Sequence, residues 1–165
     1  MKAGAHEGKT ADVAMLTYYL EQNYELQAVE GDQQAFGYRK SVFQEDKNII
    51  VATLYRLKQD LQEIIDQHVE LLTSKRENSQ PLEWPSCGSV FKRPEGYYAG
   101  KLIMDAGLQG KNINGAEVST KHAGFIVNKG GARAEDIANL IKHVQNTVLE
   151  EFGVQLETEV RFMGE

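Results

Sequence analysis

In the run Pro85-Ser86-Cys87-Gly88-Ser89-Val90-Phe91-Lys92-Arg93-Pro94, a small hydroxyl, Ser89, sits between Gly88 and an apolar pair, with two cations close behind. Glycine at position 88 has no Cβ to hold a flat or bulky ligand away from the backbone. Val90 and Phe91 read as a short strand entering a core, which would fix Ser89 at its edge. Lys92 and Arg93 place positive charge where an anionic substrate could dock. The same residues also make an ordinary Gly-Ser turn ahead of a buried strand, and local sequence alone favours that plainer reading.

Two other positions carry candidate chemistry. Arg39 lies between Tyr38 and Phe43, so rings would pack its stem and leave a fixed guanidinium fork for a carboxylate. An arginine lying on a sheet surface fits the local sequence at least as well. Glu159 belongs to a polar strand face with Glu157 and Arg161, and a solvated face is the simpler account. Metal binding has little support, because His6, His68, His122 and His143 are scattered and none pairs with carboxylates or thiols at ligand spacing. A nucleophile elbow is absent, since Phe91 stands where its second glycine belongs. Cys87 has no base nearby in sequence and reads as a small packed thiol.

These positions need elements to hold them. Residues 12–20 favour a strand, residues 24–29 alternate as a half-buried partner, and Glu21-Gln22-Asn23 is the turn of the resulting hairpin. Residues 48–57, rich in Ile, Val and Thr, read as a buried strand. An amphipathic helix follows over residues 60–76, with Leu61, Ile64, Ile65, His68, Val69 and Leu72 on one face. The polar stretch with Pro81 and Pro85 marks the crossing to a second lobe. There the pattern predicts a short helix over 99–106 ended by Gly107, and a buried strand over 125–127. A long helix over 135–152 is closed by Gly153, and a strand over 154–162 has one polar face. The fold class is α+β.

At 165 residues the chain suits one medium domain or two small lobes, and 41% hydrophobic residues suffice for a core. A net charge of −6 argues against general nucleic-acid binding. No apolar run approaches the ~20 residues that span a bilayer. The single cysteine excludes an intrachain disulfide and suits a reducing cytoplasm. The opening Met1-Lys2-Ala3-Gly4-Ala5-His6-Glu7-Gly8 is neither a signal peptide nor an ordinary domain start, which points to sequence lying ahead of it.

Four blocks together resemble the UDP-N-acetylenolpyruvoylglucosamine reductase family, flavoenzymes that complete UDP-N-acetylmuramate for peptidoglycan. They are Gly88-Ser89-Val90-Phe91-Lys92-Arg93-Pro94, Ala99-Gly100-Lys101-Leu102-Ile103, Val118-Ser119-Thr120-Lys121-His122-Ala123-Gly124-Phe125-Ile126-Val127-Asn128 and Thr158-Glu159-Val160-Arg161. The likeness runs in order over essentially the whole chain and is nearest the shorter form common in Gram-positive bacteria. It implies NADPH-dependent, FAD-mediated reduction of UDP-N-acetylglucosamine enolpyruvate, with no nucleic acid or membrane partner. It implies that Ser89 is the proton donor, that Arg39 holds the substrate carboxylate, and that Glu159 flanks the same carbon. A Glu159 that donates a hydrogen bond there must be protonated, as burial would favour. The resemblance further places Gly4, Ala5 and Arg76 near the flavin, and Arg93 and Lys101 near the substrate's diphosphate or sugar. Asn128 and His122 would brace the second lobe.

There are also departures. Family members carry a long portion, including a glycine-rich turn for the FAD diphosphate, ahead of the loop at Ala3-Gly4-Ala5. Lys2 replaces the family's usual asparagine, and Arg133 stands where a helix-capping Thr is common, a change costing about 1 kcal/mol if uncompensated. The resemblance therefore implies residues 1–80 as the latter part of a flavin-binding lobe and 81–165 as the substrate lobe. The competing expectation is a catalytically inactive fragment that folds and binds at most a nucleotide sugar. An unrelated α+β interaction domain would require every matched block to be accidental.

Overall fold

A computed structural model of the chain describes residues 4–5, 8–37, 40–45 and 48–163. They form an α+β fold that falls into two compact units, Met1–Leu72 and Thr73–Glu165.

In the first unit, β1 (Gly4–Ala5) pairs antiparallel with β2 (Gly8–Lys9). A three-stranded antiparallel sheet follows, made of β3 (Ala14–Leu20), β4 (Leu26–Glu30) and β5 (Ile49–Tyr55), with β3 in the middle. The expected hairpin is there, with Leu20 opposite Leu26 and Tyr24 turning the chain at φ +64°. Thr17 pairs with Thr53 across β3 and β5. Beside them a 3-10 turn, Gly31–Gln34, buries Gln34 completely. The Thr17 hydroxyl donates to Gln34 Oε1 at 2.7 Å, and Gln34 Nε2 faces the carbonyls of Ala14 and Met15, so the buried amide is satisfied. A short helix, α1 (Val42–Glu45), brings Phe43 edge-on to the Tyr19 ring at 5.4 Å.

Two expectations for this unit need correction. The strand over 48–57 exists as β5 but is open to solvent, with only Thr53 half-buried. The helix α2 (Gln62–Ser79) likewise forms on schedule but has no buried residue. In both cases the local apolar pattern selects the conformation, and burial needs a packing partner that the described residues do not supply.

The second unit has a four-stranded antiparallel sheet in the order β6 (Ser86–Ser89), β9 (Phe125–Asn128), β8 (Ala116–Val118), β7 (Asn112–Ile113). β7 and β8 are joined by Asn114-Gly115, both at positive φ, the turn whose twist matches a two-residue hairpin. Helices α3 (Ala99–Asp105) and α4 (Ala134–Phe152) contribute to one core. The α4 stripe of Leu140, Ile141, Val144 and Val148 is buried with Ile103, Val118 and Leu156. Gly153, at φ +66°, ends α4 as anticipated.

Residues 154–162 do not form the expected strand. They touch the sheet at one isolated bridge, Thr158 opposite Phe91, because the facing segment is short and Pro94 stops it. The Arg133 penalty is also offset. An arginine side chain cannot accept a hydrogen bond, but the Asp136 carboxylate reaches back to the Arg133 N–H at 2.8 Å and caps the helix from inside.

Candidate functional site

Ser89 closes β6, opposite Phe125 on β9. The register slips between Ser86 and Ser89, and within that slip Gly88 takes φ +84° with open space around it. The glycine is thus explained by the backbone turn itself, and the turn leaves Ser89 exposed. β6 is an outer strand of its sheet, and Cys87 on it is exposed rather than packed as its size suggested.

Beyond Ser89 the chain is gripped on both sides. The Val90 N–H donates to the Gly124 carbonyl at 2.9 Å, and the Val90 carbonyl accepts from the Glu159 N–H at 2.7 Å. Lys92 N–H donates to the Glu157 carbonyl, and the Lys92 ammonium pairs with the Glu157 carboxylate, both at 2.9 Å. The residue after Ser89 is therefore tied to half-buried Glu159 through the backbone, although the two segments are distant in sequence. Arg39, the third residue expected with them, lies outside the described residues.

The expected diphosphate contacts belong to the same unit. The Arg93 guanidinium lies 3.9 Å from the centre of the Tyr98 ring, and its Nε donates to the Tyr97 carbonyl at 3.3 Å. Stacking fixes the plane of that cation at the surface. Lys101 is held by Asp105 one turn on, at 2.7 Å. Tyr98 is the contact missed from sequence; an aromatic so few residues after Arg93 was the available signal.

His122 and Asn128 brace loops, as expected of them. His122 Nδ1 accepts from the Gly124 N–H at 3.1 Å, and Asn128 Oδ1 accepts from the N–H groups of Gly130 and Ala132. The expected flavin contacts fall in different units. Gly4 and Ala5 lie in the two-residue β1, and Arg76 Nε donates to Gln80 Oε1, just past the end of α2, at 3.2 Å. Among the described residues no group of three or more His, Cys, Asp or Glu could hold a metal, and no helix is long and apolar enough to cross a membrane.

Residues 80–163 match the family model described as UDP-N-acetylenolpyruvoylglucosamine reductase, C-terminal domain. The chain is 52% identical to the UDP-N-acetylenolpyruvoylglucosamine reductase of Listeria innocua, with 100% of this chain and 55% of that protein covered. It is 50% identical to that of Exiguobacterium sibiricum, covering 100% and 54%. The crystal structure of the enzyme from Thermus caldophilus superposes with a TM-score of 0.81 at 33% identity, over 96% of this chain and 57% of that one.

The chain thus spans about half the length of the curated relatives it matches. That corrects the expectation of a complete NADPH-dependent, FAD-mediated reduction by these residues, since they correspond to only 54–55% of the reductases they match. Whole-chain likeness to these reductases and the match over the second unit give one conclusion: the chain belongs to the UDP-N-acetylenolpyruvoylglucosamine reductase family.

Proposed function

We propose that these 165 residues, taken alone, are a catalytically inactive portion of such a reductase that folds and binds at most a nucleotide sugar. In this reading residues 81–165 are the substrate lobe, and residues 1–80 are the latter part of a flavin-binding lobe. The observation that carries it is the asymmetry of coverage, all of this chain against 54–55% of the relatives. The second unit supports the folding part, because Val90, Ile103, Leu140, Val144 and Leu156 are sealed in a continuous core.

The sugar nucleotide would lie across the outer strand β6. Arg93, steadied on Tyr98, would meet the diphosphate, with Lys101 contributing if it exchanges Asp105 for phosphate. Ser89, Glu159 and Arg39 would surround the enolpyruvyl group of UDP-N-acetylglucosamine enolpyruvate. Gly4, Ala5 and Arg76 would touch FAD only with the rest of such an enzyme in place, and no role with FAD or NADPH is proposed for these residues alone. A cytoplasmic setting belongs to the same reading.

The test is a visible spectrum and a calorimetric titration of the purified chain. The expected protein is colourless, oxidises no NADPH with the enolpyruvyl substrate, and takes up UDP-N-acetylglucosamine. A yellow protein that turns over after reconstitution with FAD would overturn the reading.

A further inference from the structure

The β3–β4 hairpin closes on a residue that its geometry disfavours. The Glu21 N–H donates to the Glu25 carbonyl at 3.1 Å and the Tyr24 N–H to the Glu21 carbonyl at 2.9 Å, which leaves Gln22-Asn23-Tyr24 as a three-residue loop. Such a loop ends in the left-handed region, where glycine fits without steric cost. Tyr24 occupies that place at φ +64°, and burial does not compensate it, since the residue is 78% exposed. A bulky side chain held there is strained, and strain of this kind collects at contact sites.

Beside the loop is a recess of about 340 Å³, lined among the described residues by Glu21, Gln22, Asn23 and Asn48. It opens where three strand ends meet, because Leu20 pairs with both Leu26 and Ile49 and Asn48 directly precedes β5. Its volume falls at the low end of small-molecule sites, about 300–1,000 Å³. Three amides offer donors and acceptors together, and the carboxylate adds acceptors. Asn23 commits its Oδ1 to the Glu25 N–H at 3.0 Å and keeps its amide N–H groups. The side chains of half-buried Glu21 and Asn48 make no hydrogen bond among the described residues. None of the four lining residues is a cation, and Glu21 would repel an anion.

We infer that this hairpin end is a binding site for a neutral pyranose sugar. The Tyr24 ring is the platform for the sugar's C–H face, and Glu21, Asn23 and Asn48 are partners for its hydroxyls. An aromatic ring supplies the apolar contact that a pyranose face needs, and a few placed polar groups fix its orientation. The inference does not rest on the second unit's binding a sugar nucleotide.

The experiment is a titration of the isotope-labelled 165-residue chain with chitobiose, a neutral disaccharide of N-acetylglucosamine, followed by amide NMR. The expected shifts fall on residues 21–26 and 48, with a Kd of about 1–10 mM as suits a shallow recess. Tyr24→Gly should weaken binding about tenfold or more while raising the melting midpoint by about 2–8 °C, because it relieves the left-handed strain. A tyrosine kept only for structure would give the opposite sign in melting. Asn48→Ala should weaken binding about threefold to tenfold, the loss of one hydrogen bond, and Tyr24→Phe should retain it. Shifts that are absent from residues 21–26, or confined to the second unit, would overturn the inference. So would a Tyr24→Gly chain that binds as well as the parent or melts below it.

Discussion

The Glu159 N–H donates to the Val90 carbonyl at 2.7 Å, so the residue after Ser89 is tied directly to the C-terminal segment. That tie depends on Leu156, which is fully buried three residues earlier and whose carbonyl accepts from Gln145 of α4 at 2.8 Å. Leu156→Ala should destabilise the second unit by about 2–5 kcal/mol, the usual cost of emptying a sealed leucine site. Urea unfolding followed by far-UV circular dichroism measures it. A change below ~0.5 kcal/mol would mean the C-terminal segment is dispensable and could not position Glu159.

The β7–β8 turn gives a sharper steric prediction. A Cβ on Gly115 would be driven into the Gly130 carbonyl, and its φ of +93° is hostile to any side chain. Gly107 is also left-handed, at φ +67°, but a Cβ there meets nothing within 4 Å. Gly115→Ala should therefore cost about 3 kcal/mol or more, against about 1–2 kcal/mol for Gly107→Ala. Paired thermal melts of the two variants would show it; equal costs would mean that φ alone matters at both sites.

Asp136 links α4 to that hairpin and makes stability depend on pH. Its pKa is lowered from the ordinary 3.8, first by the Asn114 side-chain hydrogen bond at 2.9 Å and next by the Arg133 backbone N–H. A carboxyl whose folded pKa lies below its unfolded one contributes stability above the unfolded value. That contribution is lost as pH falls through the folded value. Unfolding midpoints should therefore drop on acidification through and below the ordinary carboxylate range. Asp136→Asn should lower the midpoint near neutrality and flatten the acid limb. An acid limb as steep in the variant as in the parent would assign the pH dependence elsewhere.

How far these features could be read from sequence follows from what each one rests on. The α4 helix was legible to within a residue because its apolar stripe repeats at helical spacing from Ile137 to Val148 and glycine ends it. The β7–β8 hairpin went unread although Asn114-Gly115 announces it, since strands of two and three residues carry no period. Residues 154–162 alternate like a strand but find only a short, proline-stopped partner, and alternation says nothing of partners. β5 shows the converse: its conformation was legible and its burial was not, because burial belongs to whatever packs on it. The site divides the same way. Each block around Ser89 and Glu159 was recognisable by itself, while the adjacency of the two segments is a Val90–Glu159 backbone hydrogen bond that no local window contains.

That adjacency sets the last prediction, on the proposed nucleotide-sugar site. Arg93 is presented at the surface by Tyr98, and an arginine meeting a diphosphate makes charge-assisted bonds worth about 1.5–3 kcal/mol. Arg93→Ala should weaken UDP-N-acetylglucosamine binding by about 10–100-fold in calorimetric titrations, a fold-change that follows from that energy. Ser89→Ala should change the same affinity by only about threefold, because a hydroxyl proposed to serve the reacting carbon anchors little of a sugar nucleotide. Tyr98→Phe should behave like the parent and Tyr98→Ala like a partial loss of Arg93, since the ring face supports the cation. Were Ser89→Ala the more damaging change, the nucleotide would have to bind at β6 itself rather than at Arg93. Were neither to matter, the cations behind Ser89 would be ordinary surface charges.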